Sequence, residues 1–148
     1  MYSVVLAAVD GSARARGVFE AALEIAERFD ARLHLFRSVA IPPEFAAAAP
    51  MPRDRLPEIL EDQARQSLSE LAANHARVHI EELDVTAAQP WRAIIAAAAK
   101  VQADLIVIGS HGHSGWDRVL GTNASKVTDH ADRSVLVVHQ RYDTLNAR

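Results

Sequence analysis

Three small polar residues follow a glycine in the last third of the chain: Thr122, Asn123 and Ser125 come after Gly121. Each side chain can donate a hydrogen bond, and the residues that follow repeat apolar side chains at helical spacing. The first turn of a helix offers unpaired N–H groups and the positive end of the helix dipole. This turn therefore predicts a site for an anion, and we expect a phosphate group.

A short apolar run and a glycine-rich loop precede this turn. Leu105 to Ile108 is too short for a helix and is rich in β-branched residues, which is typical of a strand buried on both faces. Glycine lets a backbone approach a ligand closely, and the loop contains Gly109, Gly112, Gly115 and Gly121. Their spacing matches neither the dinucleotide-binding fingerprint nor the Walker A loop. A simpler interpretation stands beside the phosphate site: the glycines turn a surface loop, and one polar residue caps the helix.

A second polar turn follows the first apolar run of the chain. Ser3 to Val9 forms that run, and Asp10, Gly11 and Ser12 end it. Aspartate and serine are common in turns and at helix caps, so Asp10 has one structural interpretation. The alternative is a contact with a ribose or with Mg²⁺, for which a carboxylate is a suitable ligand.

Apolar periodicity assigns the elements that position these two turns. Strands are predicted at Ser3 to Val9, Arg32 to Val39, Val78 to Val85, Leu105 to Ile108 and Ser134 to His139. Helices are predicted at about Ala13 to Phe29, at Leu56 to His75, from Pro90 and after Gly121. The alternation predicts an α/β fold: a single domain over residues 1–148, with a five-stranded parallel sheet and helices on both faces.

The first and the fourth strand are the most apolar, so we expect them to be neighbours in the centre of the sheet. In such sheets a ligand binds beyond the carboxyl ends of the strands, where the direction of winding reverses. The two polar turns follow these two strands and should therefore line one crevice. Residues Ala40 to Pro57 break the pattern and predict either a mobile excursion or a short helix over the surface.

Composition excludes several classes of function. The 148 residues have a formal charge of −3 and a pI near 6.1, which gives no reason to expect nucleic acid as a partner. The chain has no cysteine, so disulfides and thiolate metal sites are excluded. The N-terminus lacks a basic leader and no apolar run reaches membrane-spanning length, so we expect a cytoplasmic protein that does not enter a membrane.

Few other residues suggest chemistry. His111 and His113 have the spacing of two metal ligands, but no further ligand accompanies them, so no metal site is predicted. Lys126 and Arg118 are each either a solvated surface cation or a phosphate contact, and Trp91 is expected in the core. No nucleophile–base pair and no carboxylate pair occurs, so no catalytic residue is assigned and enzymatic activity stays open.

Taken over its whole length, the chain resembles the universal stress proteins. The resemblance includes the opening VLAAVDGS, the segment LHLFRSV, and the stretch from DLIVIGSHGHSG through GTNASKVTDHADRSVLVVH. It implies the adenine nucleotide alpha hydrolase-like fold with strand order 3-2-1-4-5. In the nucleotide-binding branch of that family, a loop with the pattern G-x2-G-x9-G-[ST] holds ATP. Here eight residues rather than nine separate Gly112 from Gly121, as in a subgroup with the shorter spacing.

The resemblance also implies which residues bind the nucleotide. Gly109 and Gly112 match the first two glycines of the loop, and Gly121 and Thr122 match its final step at the phosphates. Asp10 matches an acidic residue near the ribose and the phosphates. The backbone of Ser38 and Val39 is implied at the adenine, and Ile108 at the base and sugar. The remaining implied contacts, near these positions, are Ala8, His111, Asn123 and Ser125.

By this resemblance the chain is a cytoplasmic stress-response protein that binds ATP with Mg²⁺ and acts as a nucleotide-dependent regulatory switch on an unknown protein partner. Slow ATP hydrolysis or self-phosphorylation is the most that it implies as activity. It also implies a homodimer through the C-terminal strand, Val135 to His139, whose apolar edge would otherwise be exposed. The alternative is a nucleotide-free dimeric interaction module of the same fold, and a nucleotidyl-transferring enzyme is a third hypothesis.

Overall fold

Strands and helices alternate along the chain in a computed structural model, which describes residues 1–39, 56–76, 78–80, 84–85, 89–110 and 120–139. The strands are β1 (Val4–Ala8), β2 (Arg32–Phe36), β3 (Ser38–Val39), β4 (Val78–Ile80), β5 (Asp84–Val85), β6 (Leu105–Gly109) and β7 (Ser134–Val138). The helices are α1 (Ala15–Phe29), α2 (Leu56–Ala72), α3 (Pro90–Lys100) and α4 (Thr122–His130). Within the described ranges, no helix has both the length and the apolar character needed to span a membrane.

The main sheet is parallel throughout and has the order β4-β2-β1-β6-β7. Four strands of five residues, in the order β2-β1-β6-β7, form its body, and the three-residue β4 extends it beside β2. β1 pairs with β2 on one side and with β6 on the other, so the winding reverses between β1 and β6. The expected contact between the two most apolar strands is confirmed.

Helices cover both faces of the sheet, and alternate residues of the central strands point to opposite faces. On one face, Val5 and Ala7 of β1 pack with residues of α1 and α2, among them Phe19 and Leu68. On the other face, Leu6 and its neighbours pack with α3 and α4. Both faces of β1 and β6 are buried, which explains why these strands are continuous apolar runs in the sequence.

The parallel α/β class is confirmed, but the prediction of five continuous strands is wrong. The segment predicted as Arg32 to Val39 divides into β2 and β3, and the segment predicted as Val78 to Val85 divides into β4 and β5. β3 and β5 pair with each other in a separate two-stranded sheet. The chain leaves the main sheet after Phe36, whose carbonyl oxygen accepts from the N–H of Val9 beyond the end of β1 (2.9 Å). Most of the predicted excursion, Ala40 to Pro57, lies outside the described residues.

Two charged side chains satisfy backbone groups at the amino ends of the strands. The carboxylate of Asp104 accepts hydrogen bonds from the N–H groups of Ser3 (2.8 Å) and Val4 (3.2 Å), which ties the start of β1 to the start of β6. The guanidinium group of Arg133 donates to the carbonyl oxygens of Ala98 (2.9 Å) and Ala103 (2.8 Å). These backbone groups are therefore paired by side chains of the same chain.

Candidate functional site

A crevice of about 200 Å³ opens at the carboxyl ends of β1 and β6, where the winding of the sheet reverses. One wall comes from the end of β1, the loop after it and α1, and the other comes from β6, α3 and α4. The described lining residues are Ala8, Val9, Asp10, Arg14, Val18, Pro90, Ile94, Ile108, Gly109, Asn123, Ala124 and Val127. Among them Asp10 is the one acidic residue and Arg14 the one basic residue.

The loop after β1 is held by its own side chains. Oδ1 of Asp10 accepts hydrogen bonds from the backbone N–H of Ser12 (2.9 Å) and from its hydroxyl (2.6 Å). The hydroxyl oxygen of Ser12 accepts in turn from the N–H of Arg14 (3.2 Å), and its carbonyl oxygen accepts from the N–H of Ala15 (3.1 Å). Asp10 thus forms the turn that leads into α1, and the same residue lines the crevice.

Gly11 permits a close approach of Arg37, the residue directly after β2. A β-carbon at position 11 would lie 2.6 Å from Nη2 of Arg37 and 3.2 Å from its Cζ. Real β-carbons essentially never come as close as the first of these distances, so a larger residue at position 11 would displace the guanidinium group. The loop after β1 and the end of β2 therefore pack together beside the crevice.

Three helices begin at the crevice without a negative charge in the first turn. Arg14 is the N-cap of α1, Pro90 is the first residue of α3, and Asn123 is the second residue of α4. None of these helices has an acidic residue in its first turn or a side-chain hydrogen bond from its N-cap residue. By contrast α2, none of whose described residues lines the crevice, has Glu58 in its first turn. Three positive helix ends thus meet at one cavity.

The start of α4 distinguishes between the two interpretations of its polar residues. The N-cap is Gly121, in an extended conformation (φ −61°, ψ 156°), so none of Thr122, Asn123 and Ser125 occupies the cap position. The N–H of Ser125 donates to the carbonyl oxygen of Gly121 (2.9 Å), which is the first hydrogen bond of the helix. The N–H groups before Ser125 therefore have no acceptor within the helix, an arrangement that suits an anion.

Five of the predicted nucleotide contacts lie together in the crevice, from the ends of β1 and β6 and the start of α4: Ala8, Asp10, Ile108, Gly109 and Asn123. They come from segments far apart in sequence, and the sheet brings them to one place because β1 and β6 are neighbours.

The other predicted contacts are not among the described lining residues. Gly121, Thr122 and Ser125 belong to the start of α4 but are not among the described lining residues. The two residues predicted at the adenine form β3, of which the backbone is described. His111 and Gly112, like most of the eight-residue loop that follows them, lie outside the described residues.

Several lining residues were not predicted as contacts, among them Arg14, Val18, Pro90 and Ile94. Arg14 has a signal in the sequence: an arginine directly after a turn lies at the positive end of the predicted helix, where a cation is unfavourable. Pro90 and Ile94 have no such signal, because only the packing of α3 against the sheet brings them to the crevice.

The predicted core residue Trp91 is half-buried at the start of α3 and packs against the core of that face. Its ring lies 4.6 Å from that of His130, between centroids, and Nζ of Lys126 lies 5.9 Å from the indole centroid. Lys126 thus lies over Trp91 rather than among the described lining residues, and Arg118 and His113 fall outside the described ranges. Within those ranges, no group of three potential metal ligands occurs.

Comparison with known proteins identifies the family. A sequence profile described as the Universal stress protein family matches residues 1–139. The chain belongs to that family. Universal stress protein A homolog 1 of Coxiella burnetii is 32% identical to this universal stress protein over 139 residues, which cover 93% of this chain and 96% of that protein.

Solved structures share the fold of this universal stress protein. A member of the family from Burkholderia pseudomallei has a TM-score of 0.73 at 26% identity, and the match covers 93% of this chain and 96% of that chain. A universal stress protein in complex with cAMP has a TM-score of 0.60 at 26% identity, and the match covers 93% of this chain and 97% of that chain.

Proposed function

We propose that this universal stress protein is a cytoplasmic stress-response protein that binds ATP in the crevice between β1 and β6. Nucleotide occupancy then acts as a switch for its contacts with a protein partner. The main support is that three helix N-termini meet at one crevice whose described lining has one carboxylate. A related protein in complex with cAMP supports an adenine nucleotide as the ligand.

The crevice offers different surfaces to the two halves of a nucleotide. The apolar side chains Val9, Val18, Ile94 and Ile108 suit a base and a sugar. The first turn of α4 offers N–H groups that suit phosphate. We therefore assign the phosphates to the glycine loop and the start of α4, namely Gly109, Gly112, Gly121, Thr122, Asn123 and Ser125. The base and ribose are assigned to Ala8, Asp10, Ser38, Val39, Ile108 and His111.

Mg²⁺ would enter the site with the phosphates. This ion keeps several waters and takes one or two carboxylates, together with phosphate oxygens, as its ligands. Asp10 fits this requirement because it lines the crevice, while its Oδ1 also accepts from Ser12. When bound, the ion would neutralise part of the phosphate charge.

A homodimer is proposed through β7. This strand is at one end of the strand order, and Leu136 is 37% exposed. An apolar strand at a sheet edge tends to pair with another strand unless it is covered. We expect the segments Val135 to His139 of two copies to meet antiparallel about a two-fold axis. The same exposed residue favours the second candidate function, a nucleotide-free dimeric interaction module.

Denaturing the purified protein and separating what it releases by chromatography tests the first function. We expect adenine nucleotide in the supernatant, or ATP binding by calorimetry if the protein is purified empty. A protein that releases no nucleotide and does not bind ATP, but sediments as a dimer, would support the interaction module instead. A monomer at micromolar concentration would contradict the dimer.

A further inference from the structure

Arg14 lies where two cavities adjoin. It lines the crevice, and it also lines a groove of about 490 Å³ between α1 and the end of β7. Val18 and Gly109 line both cavities as well. The N–H of Arg14 donates to the hydroxyl oxygen of Ser12 (3.2 Å), so the turn after β1 determines where this side chain begins.

The guanidinium group of Arg14 has no ion-pair partner within the described part of the chain, although Asp10 lines the same crevice. No hydrogen bond or ion pair engages its guanidinium group there, whereas Arg28, Arg65 and Arg133 each donate to a carboxylate. Arg14 is also half-buried and lies at the positive end of α1, where a second positive charge is unfavourable. An anion in the crevice would compensate both charges.

We infer that Arg14 binds the distal phosphates of the nucleotide and thereby makes the site selective for nucleoside di- and triphosphates, an inference that rests on the proposed function. Phosphate is assigned to the start of α4, which packs on one face of the sheet, and Arg14 enters the crevice from α1 on the other face. A chain of two or three phosphates can contact both walls, whereas a monophosphate or a cyclic monophosphate contacts one. The site should therefore prefer ATP and ADP to AMP and cAMP.

Two variants within one helical turn separate a specific contact from general electrostatics. Arg14→Gln and Arg16→Gln each remove one positive charge from the start of α1, but Arg16 is exposed and is not among the described lining residues. Each protein is titrated calorimetrically with ATP, ADP, AMP and adenosine. In Arg14→Gln we expect ATP affinity to fall about tenfold or more, as for the loss of one charge-assisted hydrogen bond, with adenosine affinity unchanged. In Arg16→Gln both affinities should stay near those of the unchanged protein.

A third variant tests the geometry of the contact. Arg14→Lys keeps the charge but loses the planar fork that can bind phosphate through two N–H groups, so ATP affinity should lie between those of the unchanged protein and Arg14→Gln.

Contradictory outcomes are distinguishable. Equal weakening of ATP by Arg14→Gln and Arg16→Gln, or equal weakening of ATP and adenosine by Arg14→Gln, overturns the inference and leaves the nucleotide site in place. A lower melting temperature of Arg14→Gln with unchanged ligand preference assigns the residue a structural role and also overturns it. If the unchanged protein binds none of the four ligands, the proposed function fails and the inference fails with it.

Discussion

The two ends of the main sheet differ in how their polar groups are hydrogen-bonded. At the amino ends of the strands, Asp104 accepts from two backbone N–H groups and Arg133 donates to two carbonyl oxygens. At the carboxyl ends, α1, α3 and α4 begin without a side-chain hydrogen bond from the N-cap residue and without an acidic first turn. Within the described residues, the guanidinium group of Arg14 makes no hydrogen bond or ion pair there. Side chains also pair the loop after β1 at the carboxyl ends, but the starts of the three helices and the guanidinium group of Arg14 fit a ligand better than they fit the chain itself.

This difference assigns separate roles to the charges at the two ends. A buried donor or acceptor without a partner costs about 1–3 kcal/mol, so charges that pair backbone groups contribute to folding. Positive groups without a partner contribute little to folding and much to the binding of an anion. Substitutions at the amino ends should therefore lower stability and leave ligand preference unchanged. Substitutions at the carboxyl ends should change ligand preference and leave stability nearly unchanged.

The largest effect is expected for Asp104→Ala. The variant loses two charge-assisted hydrogen bonds to the N–H groups of Ser3 and Val4, and Val4 is buried. The free energy of unfolding should fall by about 3 kcal/mol, measured by chemical denaturation. Asp104→Asn keeps one oxygen acceptor and should lose roughly half as much. If folded Asp104→Ala bound ATP selectively worse than adenosine, the separation between the two ends would be wrong.

A somewhat smaller effect, on binding alone, is expected for Gly121→Val. A side chain at the N-cap of α4 would collide with phosphate or displace the backbone donors, which should weaken ATP by about 2 kcal/mol, or about thirtyfold. Valine tolerates the conformation of Gly121 (φ −61°, ψ 156°), so the variant should fold. Adenosine should bind as before, because it has no phosphate to lose.

Thr122→Ala should have a smaller effect on ATP affinity than Gly121→Val. It should weaken ATP in the same selective way to a smaller extent, and helix content should not change because Thr122 is not the cap of α4. Parallel titrations with ATP and adenosine, together with melting curves, measure both variants. Equal weakening of the two ligands, or no weakening of either, would contradict the assignment of phosphate to this turn.

Arg133→Ala should lower the free energy of unfolding by about 1.5 kcal/mol without a change in ligand preference. The variant loses the hydrogen bonds to the carbonyl oxygens of Ala98 and Ala103, although water can replace part of them. Arg133→Lys should retain part of this stability, since one ammonium group can still donate to a carbonyl oxygen. Equal stability of all three proteins in urea would show that these hydrogen bonds contribute nothing.

The smallest effect is a dependence of stability on pH at the same end of the sheet. The hydrogen bond from Arg133 lowers the pKa of the Asp132 carboxyl below its ordinary value of 3.8, with Nε and Oδ1 2.6 Å apart. A lowered pKa in the folded state stabilises the protein above the ordinary pKa, and this stabilisation is lost as the pH falls through the lowered value. The unchanged protein should therefore melt at a slightly higher temperature than Asp132→Asn near neutral pH. This difference should decrease as the pH falls below about 5 and should be absent at about pH 2. A difference that persists in acid would point to a cause other than this carboxylate.

Much of the fold follows from local patterns in the sequence. The apolar runs of β1 and β6 require burial on both faces, so they could be predicted as neighbouring central strands before any contact was known. Helical spacing of apolar residues predicted the four helices of the described residues, because each helix buries one apolar face against the sheet. One polar turn follows β1, and the other follows β6 after the glycine-rich loop, so even the place of the crevice was implied.

The tertiary structure alone decided the pairings that local patterns leave open. β3 and β5 pair with each other outside the main sheet. No periodicity within either segment specifies a partner so distant in the chain. Pro90 and Ile94 reach the crevice through the packing of α3, and Arg14 faces it from the opposite layer. The residue types of a short segment indicate whether it is buried. Which strands pair, by contrast, depends on which segments the whole fold brings together.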